Sequence, residues 1–234
     1  MTIPATVALA GGVLAASWHP SHKARSLIQH FASGVVLAAL AVEIFPEIGR
    51  GHVPPLVLVG SFALGSLFMF AVKIWTTWME QREAVGLAGG AAAGSARGLL
   101  LATFIDVAVD GLIIGAGFAA GGETGTILAI GLSVELLFLA LALTSDTTKG
   151  WRIVALSGAV GATVLGFAVI GNHLLAGASH ATIGGALAFS AAALLYLVTE
   201  ELLIEAHEVP ETPIATLILF SGFLIFWCVQ LFAV

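Results

Sequence analysis

The chain has 234 residues, of which 59% are hydrophobic and only 9% are charged. Soluble domains carry about 25% charged residues, so this composition predicts a polytopic membrane protein. Eight basic residues are too few and too scattered for nucleic-acid binding, and a single cysteine, Cys228, excludes an internal disulfide and a cysteine metal cluster.

Eight apolar segments have about the length that a membrane-spanning helix needs. They are residues 2–17, 27–48, 55–79, 98–120, 124–144, 152–175, 181–206 and 212–233, all within one transmembrane domain, 1–234. No charged region precedes the first apolar run, so we predict a membrane helix there rather than a signal peptide. The connections are short except for residues 80–97, which we predict to be a flexible cytoplasmic linker.

The distribution of basic residues predicts the orientation of these helices. With the N-terminus outside, seven of the eight basic residues lie on the cytoplasmic side, as the positive-inside rule requires. The seven are Lys23, Arg25, Lys73, Arg82, Arg97, Lys149 and Arg152, and the eighth is Arg50. Both termini are therefore predicted outside the cytoplasm. The protein itself is predicted to span the inner or plasma membrane.

Two apolar helices share a pattern that indicates an internal repeat. FASGVVLAALAVEIFPE begins at residue 31, and FSAAALLYLVTEELLIE begins 158 residues later. Both contain a Glu-x-x-x-Glu pair, which is Glu43 and Glu47 in the first and Glu201 and Glu205 in the second. These are the second and seventh helices, which cross in opposite directions, so the repeat is inverted, as in many secondary transporters. We predict an all-α fold of eight helices in a 3+2+3 arrangement with inverted repeats.

Acidic residues inside the apolar segments are the candidate functional residues, because an ionisable group there is costly. They are Glu43, Asp106, Asp110, Glu135, Glu200, Glu201 and Glu205. Asp106 and Asp110 are four residues apart and project from one helix face. No basic residue is predicted at their depth, so the acids are either protonated or share a divalent cation. Protonated interhelical hydrogen bonds, and hydration of Glu47 and Glu205 at helix ends, are the structural alternatives.

Small residues beside these acids indicate close helix packing. Gly111 and Gly115 follow Asp110 with the G-x-x-x-G spacing, and Gly131 precedes Glu135 by one turn. We therefore expect the fourth and fifth helices to pack against each other and bring their acids together. The seven histidines are predicted in loops or near helix ends. Of these, His19 and His22 are candidates for metal capture at the cytoplasmic face, although a role as loop residues is favoured, and His207 is a candidate for an inner exit site.

Four of these stretches resemble motifs of the ZIP (Zrt-, Irt-like protein) family of divalent-metal transporters. In the fourth helix the family has H-N-x-P-E-G-L, and this chain has DVAVDGL at 106–112; in the fifth it has H-E-x-P-E-G, against GLSVEL at 131–136. EIFPE at 43–47 resembles H-L-x-P-E, and EELLIEAH at 200–207 resembles E-E-L-I-P-E-A-H. The histidines of the first three motifs and the prolines of the fourth, fifth and seventh helices are replaced.

The resemblance implies a transporter that imports divalent metal ions by alternating access, without enzymatic activity or a resident cofactor. It assigns the metal site and pathway to Asp106, Asp110, Glu135, Glu201, Glu43 and Glu205. Zinc, manganese, iron and cadmium are the candidate substrates, and an all-oxygen site favours harder ions such as manganese more than an imidazole site does. Val107 and Leu132 remove ligands of a second, bridging site. The expected partners are the lipid bilayer and, in a homodimer, a second copy of this chain.

Other functions fit the same residues. A non-transporting protein of the same fold would bind or sense a metal, and loss of the core histidines favours this alternative. A proton-coupled carrier would use the carboxylates for another solute. An intramembrane enzyme is disfavoured, because the sequence has neither H-E-x-x-H nor G-x-S-x-G.

Overall fold

The computed structural model describes residues 1–17, 21–86, 92–142, 151–207 and 213–233, which are helical and contain no strand. The helices are α1 Thr2–Ser17, α2 His22–Ala39, α3 Phe45–Arg50, α4 Pro55–Gly86, α5 Ala92–Ala120, α6 Gly122–Ala142, α7 Trp151–Leu175, α8 His180–Leu197, α9 Leu203–Ala206 and α10 Pro213–Ala233. A π-helical turn, Leu40–Ile44, joins α2 to α3, and a second, Val198–Leu202, joins α8 to α9. The all-helical prediction is confirmed.

Six helical stretches of the described chain are long and apolar enough to cross a membrane. They are His22–Arg50, Pro55–Met79, Thr103–Ala120, Trp151–Leu175, His180–Leu202 and Pro213–Phe232, and Thr2–Ala16 is a shorter apolar helix. Many of their large apolar side chains are exposed, including Leu56 and Phe232, at 84% and 88%. Such a surface suits hydrocarbon rather than water, so the chain has the character of a multi-pass membrane protein.

The predicted linker is largely helical where the structure describes it. α4 continues to Gly86 and α5 begins at Ala92, so helix covers parts of the 80–97 segment at both ends, and residues 87–91 lie outside the described chain. The flexibility and the cytoplasmic location of the linker stay predictions. Helix at the two ends agrees with the high intrinsic helix propensity of glutamate, glutamine, arginine and alanine.

The helices form two packed groups that meet at the acids. α1, α5, α6 and α7 pack on one another, whereas α2 pairs with α10 and α4 pairs with α8. α2 packs on α6, and both α4 and α8 pack on α5, so these contacts join the groups. The four-helix group therefore carries Asp106, Asp110 and Glu135, and the second group supplies the helices that cover them.

α5 and α6 pack against each other as predicted, but not through the glycines beside the acids. A Cβ on Gly111 would lie 2.6 Å from the carbonyl oxygen of Val164, so Gly111 admits α7 rather than α6. Gly115 likewise faces α7 at Ala168 and Gly171. α5 and α6 instead approach where Gly117 meets Gly125, nearer the α5–α6 turn. The small residues do allow close packing, but a one-dimensional motif does not identify the helix that uses it.

The two repeat sequences adopt matching local structures. Each helix begins at a serine N-cap, where Ser21 accepts from the N–H of Ala24 at 3.3 Å and Ser179 accepts from that of Thr182 at 3.2 Å. Each then reaches a π-helical turn after the same number of residues, and the fourth residue of each turn is an acid, Glu43 or Glu201. A π-turn inserts one extra residue and redirects the side chains around it.

These two segments run in opposite directions. Near the start of α2, the Ser26 hydroxyl donates to the Ala206 carbonyl at the end of α9, at 2.6 Å. At the other end, Val53, which follows α3, packs on Gly184 near the start of α8. The structure therefore places the Glu43 and Glu201 turns towards opposite ends of the bundle.

Candidate metal centre

Three acids from two helices converge in the interior. α5 carries Asp106 and Asp110, and α6 carries Glu135, and one carboxylate oxygen of each lies within 4.8 Å of the other two. Asp110 is 1% exposed and Glu135 is 5% exposed, whereas Asp106 is half-buried. The sequence grouped these three residues, and the structure brings them together.

Two of these carboxylates contain oxygens that the described protein leaves without a hydrogen-bond partner. They are Oδ2 of Asp110 and Oε2 of Glu135, both fully buried. A buried charge without a partner is among the most costly arrangements in a protein interior. A cation held between the oxygens would remove that cost, because a divalent ion offsets two negative charges and accepts carboxylate ligands in several geometries.

The walls of this cluster are apolar. Val107 is 0% exposed and Leu132 is 2% exposed, so the positions next to the acids carry no further ligand. The Ser133 hydroxyl donates to the Ala129 carbonyl one turn earlier, so its proton is used within α6. The site that these residues form is therefore built from carboxylate oxygens.

Glu201 joins this cluster from the second group of helices. It interacts electrostatically with Asp106, Asp110 and Glu135, and the π-turn after α8 carries it. Its neighbour Glu200 is exposed. The sequence could not distinguish between these two adjacent acids, and the structure places Glu201 near the three acids and Glu200 on the exposed surface.

A small cavity of about 20 Å³ opens beside Glu201. We call it the Asp106 cavity, and its lining is Met69, Val72, Lys73, Thr76, Ile105, Asp106, Val109, Tyr196 and Glu201. Its volume is about that of one water molecule. Lys73 and Tyr196 were not among the predicted site residues. Lys73 was placed near a helix end by its distance along the chain, and only the packing of α4 on α8 shows that it borders the cavity.

The remaining predicted pathway acids lie outside the three-acid cluster or outside the described side chains. Glu43 accepts a hydrogen bond from the side chain of Thr124, at the start of α6, and interacts with Glu47, Glu123 and Arg50. Glu47 is itself paired with Arg50, Nη1 to Oε2, at 3.1 Å. The side chain of Glu205 lies outside the described part of the chain.

His207 forms a contact that the sequence did not indicate. Its Nδ1 donates to the Leu203 carbonyl, and its ring centroid is 5.2 Å from that of the buried His30. The pair connects the start of α2 to the end of α9.

Comparison with known proteins adds no family to this geometry. A scan against protein-family models finds none that matches the chain, and a search of curated proteins finds no match either.

Proposed function

We propose that this protein is a secondary transporter of divalent metal cations. One observation carries the proposal, namely that Asp106, Asp110 and Glu135 converge in an apolar interior with buried oxygens that have no hydrogen-bond partner in the described chain. The resemblance of four stretches to ZIP motifs supports the same function. The ion is the substrate, and its release leaves carboxylates that accept protons, which gives the site two states for a transport cycle.

Within this proposal the substrate is a divalent ion of the zinc, manganese and iron class. The chemistry of the donors favours manganese, because carboxylate oxygens suit hard ions better than a site containing imidazole does. Carboxylates also bind zinc well, so zinc belongs among the ions to be tested. Val107 and Leu132 carry no ligand atoms for a second, bridging metal, so the proposal includes one metal site.

The same proposal includes an architecture of eight crossings in a 3+2+3 arrangement, with both termini outside and import into the cytosol. The antiparallel course of the two matched segments supports an inverted repeat. The excess of basic residues on one side supports the orientation. Under this orientation the Asp106 cavity faces the cytoplasm.

Metal uptake into proteoliposomes tests the proposal. We expect the wild-type protein to take up manganese in a saturable manner and Asp110→Ala to lose uptake, because one of the central carboxylates is gone. Glu200→Gln is the matched control, since it neutralises an exposed acid beside the site, and it should retain uptake. Zinc, iron, cobalt, cadmium and magnesium should be compared in the same preparation.

The other outcomes of this experiment identify the competing functions. Folded protein that binds a metal tightly but shows no uptake of any of the six would be a binder or sensor. Flux of another solute that depends on pH, without divalent binding, would indicate a proton-coupled carrier. Either result would reject the proposed function.

A further inference from the structure

The packing around the two repeats is related by the same correspondence as their sequences. A Cβ on Gly222 of α10 would lie 3.3 Å from the Cα of Phe31, and a Cβ on Gly65 of α4 would lie 3.1 Å from the Cα of Phe189. Phe31 and Phe189 begin the two repeat sequences. α10 therefore covers α2 in the way that α4 covers α8, and Gly222 corresponds to Gly65.

A second cavity of about 210 Å³ occupies the place that corresponds to the Asp106 cavity. We call it the Phe226 cavity, and its lining includes Glu123, Thr126, Ile130, Phe226, Val229 and Gln230. Counted from the paired glycines, Phe226, Val229 and Gln230 stand at the positions of Met69, Val72 and Lys73. The Phe226 cavity thus lies between α10 and α6, as the Asp106 cavity lies between α4 and α5.

The two cavities lie towards opposite ends of the bundle. α5 and α6 run antiparallel, since Gly117 and Phe118 late in α5 pack on Gly125 early in α6. The Asp106 cavity is in the first half of the apolar stretch Thr103–Ala120 of α5, and the Phe226 cavity is in the first half of α6. Asp110 and Glu135 lie on the helix segments that follow the cavities, and Asp106 lines the first of them.

The cavities differ in whether they reach the acids. Four residues before Asp110 α5 has Asp106, but four residues before Glu135 α6 has Gly131. The Phe226 ring fills the space that the missing side chain leaves, because a Cβ on Gly131 would lie 3.0 Å from Cε2 of Phe226. Phe226 is 4% exposed, and it both lines the cavity and packs its ring on Gly131, one turn before Glu135.

We propose that the Phe226 cavity is the second mouth of the transport path, and that Phe226 is the gate that closes this mouth. The inference rests on the proposed function, since it concerns the path to the same site. Glu123, Thr126 and Gln230 give the mouth oxygen atoms and a negative charge, which suit a hydrated divalent cation. Under the proposed topology this mouth opens to the outside.

Cysteine accessibility tests the gate without requiring transport. Cys228→Ser provides a background without native cysteine. In this background, labelling of Thr126→Cys measures access to the mouth, and labelling of Glu135→Cys measures access to the interior behind the Phe226 ring. A membrane-impermeant cationic methanethiosulfonate is added to the mouth side of sealed proteoliposomes. We expect labelling of Thr126→Cys and slow labelling of Glu135→Cys, which Phe226→Ala accelerates several-fold.

The controls separate the gate from general loosening. Phe232→Ala truncates an aromatic ring on the same helix that is 88% exposed, and it should leave the labelling of Glu135→Cys unchanged. Phe226→Leu keeps an apolar side chain, so it serves if Phe226→Ala does not fold, and it should accelerate labelling by less. The proposal is overturned if Thr126→Cys is not labelled, or if the interior cysteine labels equally with and without the Phe226 ring.

This experiment and the uptake experiment fail independently. Labelling as expected in a protein that transports no divalent ion would retain the gated mouth and reject the metal substrate. Metal uptake with labelling that ignores Phe226 would retain the transporter and reject the gate.

Discussion

The Asp106 cavity and the Phe226 cavity are built on corresponding helices, yet only the first is lined by one of the three acids. Two positions account for the difference. α5 has Asp106 where α6 has Gly131, and α4 has Met69 where α10 has Phe226. Under the proposed function, a carboxylate oxygen at one mouth gives an ion a ligand on the way to the site, whereas an aromatic ring at the other mouth excludes both water and ion. In the proposed transport cycle, these unequal side chains on corresponding helices would close one path while the other opens.

Under the proposed function both mouths lead to Asp110 and Glu135, so a substitution of this central pair has the largest expected effect. In wild-type protein, manganese at about one hundred times its Kd should stabilise the fold by about 2.7 kcal/mol. Asp110→Asn should abolish this stabilisation because the ion loses a charged ligand. Without metal the variant should be at least as stable as the wild type, since a buried carboxylate is costly.

Thermal unfolding in detergent, with and without manganese, measures this effect. Glu200→Gln should show the full manganese shift, because its side chain is exposed. Equal manganese shifts in wild type and Asp110→Asn would mean that the ion binds elsewhere.

A substitution that makes the two cavities alike should have an intermediate effect on stability. Gly131→Asp restores the acid that α6 lacks, but the new side chain meets the Phe226 ring, so we expect a destabilisation of about 1–3 kcal/mol from overpacking. Adding Phe226→Leu should recover part of this loss, because the shorter side chain vacates space beside residue 131.

The coupling between these two substitutions is measured by a double-mutant cycle of unfolding free energies. Gly60→Asp is a suitable control, because nothing lies within 4 Å of a Cβ at that exposed position. It should show no coupling to Phe226→Leu. Additive effects of Gly131→Asp and Phe226→Leu would contradict the contact that separates the Phe226 cavity from the acids.

The sequence predicted the helices and the three acids because those signals are local. Apolar runs fix helix positions, and an acid within such a run is conspicuous. It also paired the two repeats through the motifs that contain Glu43 and Glu201. The matching serine N-caps, Ser21 and Ser179, were available signals at the same spacing.

The side chains that cover the acids depend on tertiary packing, and sequence reasoning missed them. Phe226 is one of fourteen phenylalanines, and nothing near it in the chain distinguishes it from its neighbours. Its position over Gly131 follows from the pairing of α10 with α2 and of α2 with α6. The helix predicted to pack on Gly111 was likewise wrong, because glycine spacing indicates a close approach but does not identify the approaching helix.

Substitution of Lys73 by glutamine has the smallest expected effect. It makes the two cavities alike at one position, since Gln230 is the counterpart of Lys73 in the Phe226 cavity. A positive charge bordering the Asp106 cavity repels a divalent cation, so Lys73→Gln should raise the apparent affinity for manganese a few-fold at low ionic strength. The gain should shrink as salt is added, because screening weakens the charge that the substitution removes. Initial uptake rates over a range of manganese and salt concentrations measure it, with Lys73→Arg as the control that keeps the charge. An increase that persists undiminished at high salt would show that Lys73 obstructs the mouth by its volume rather than by its charge.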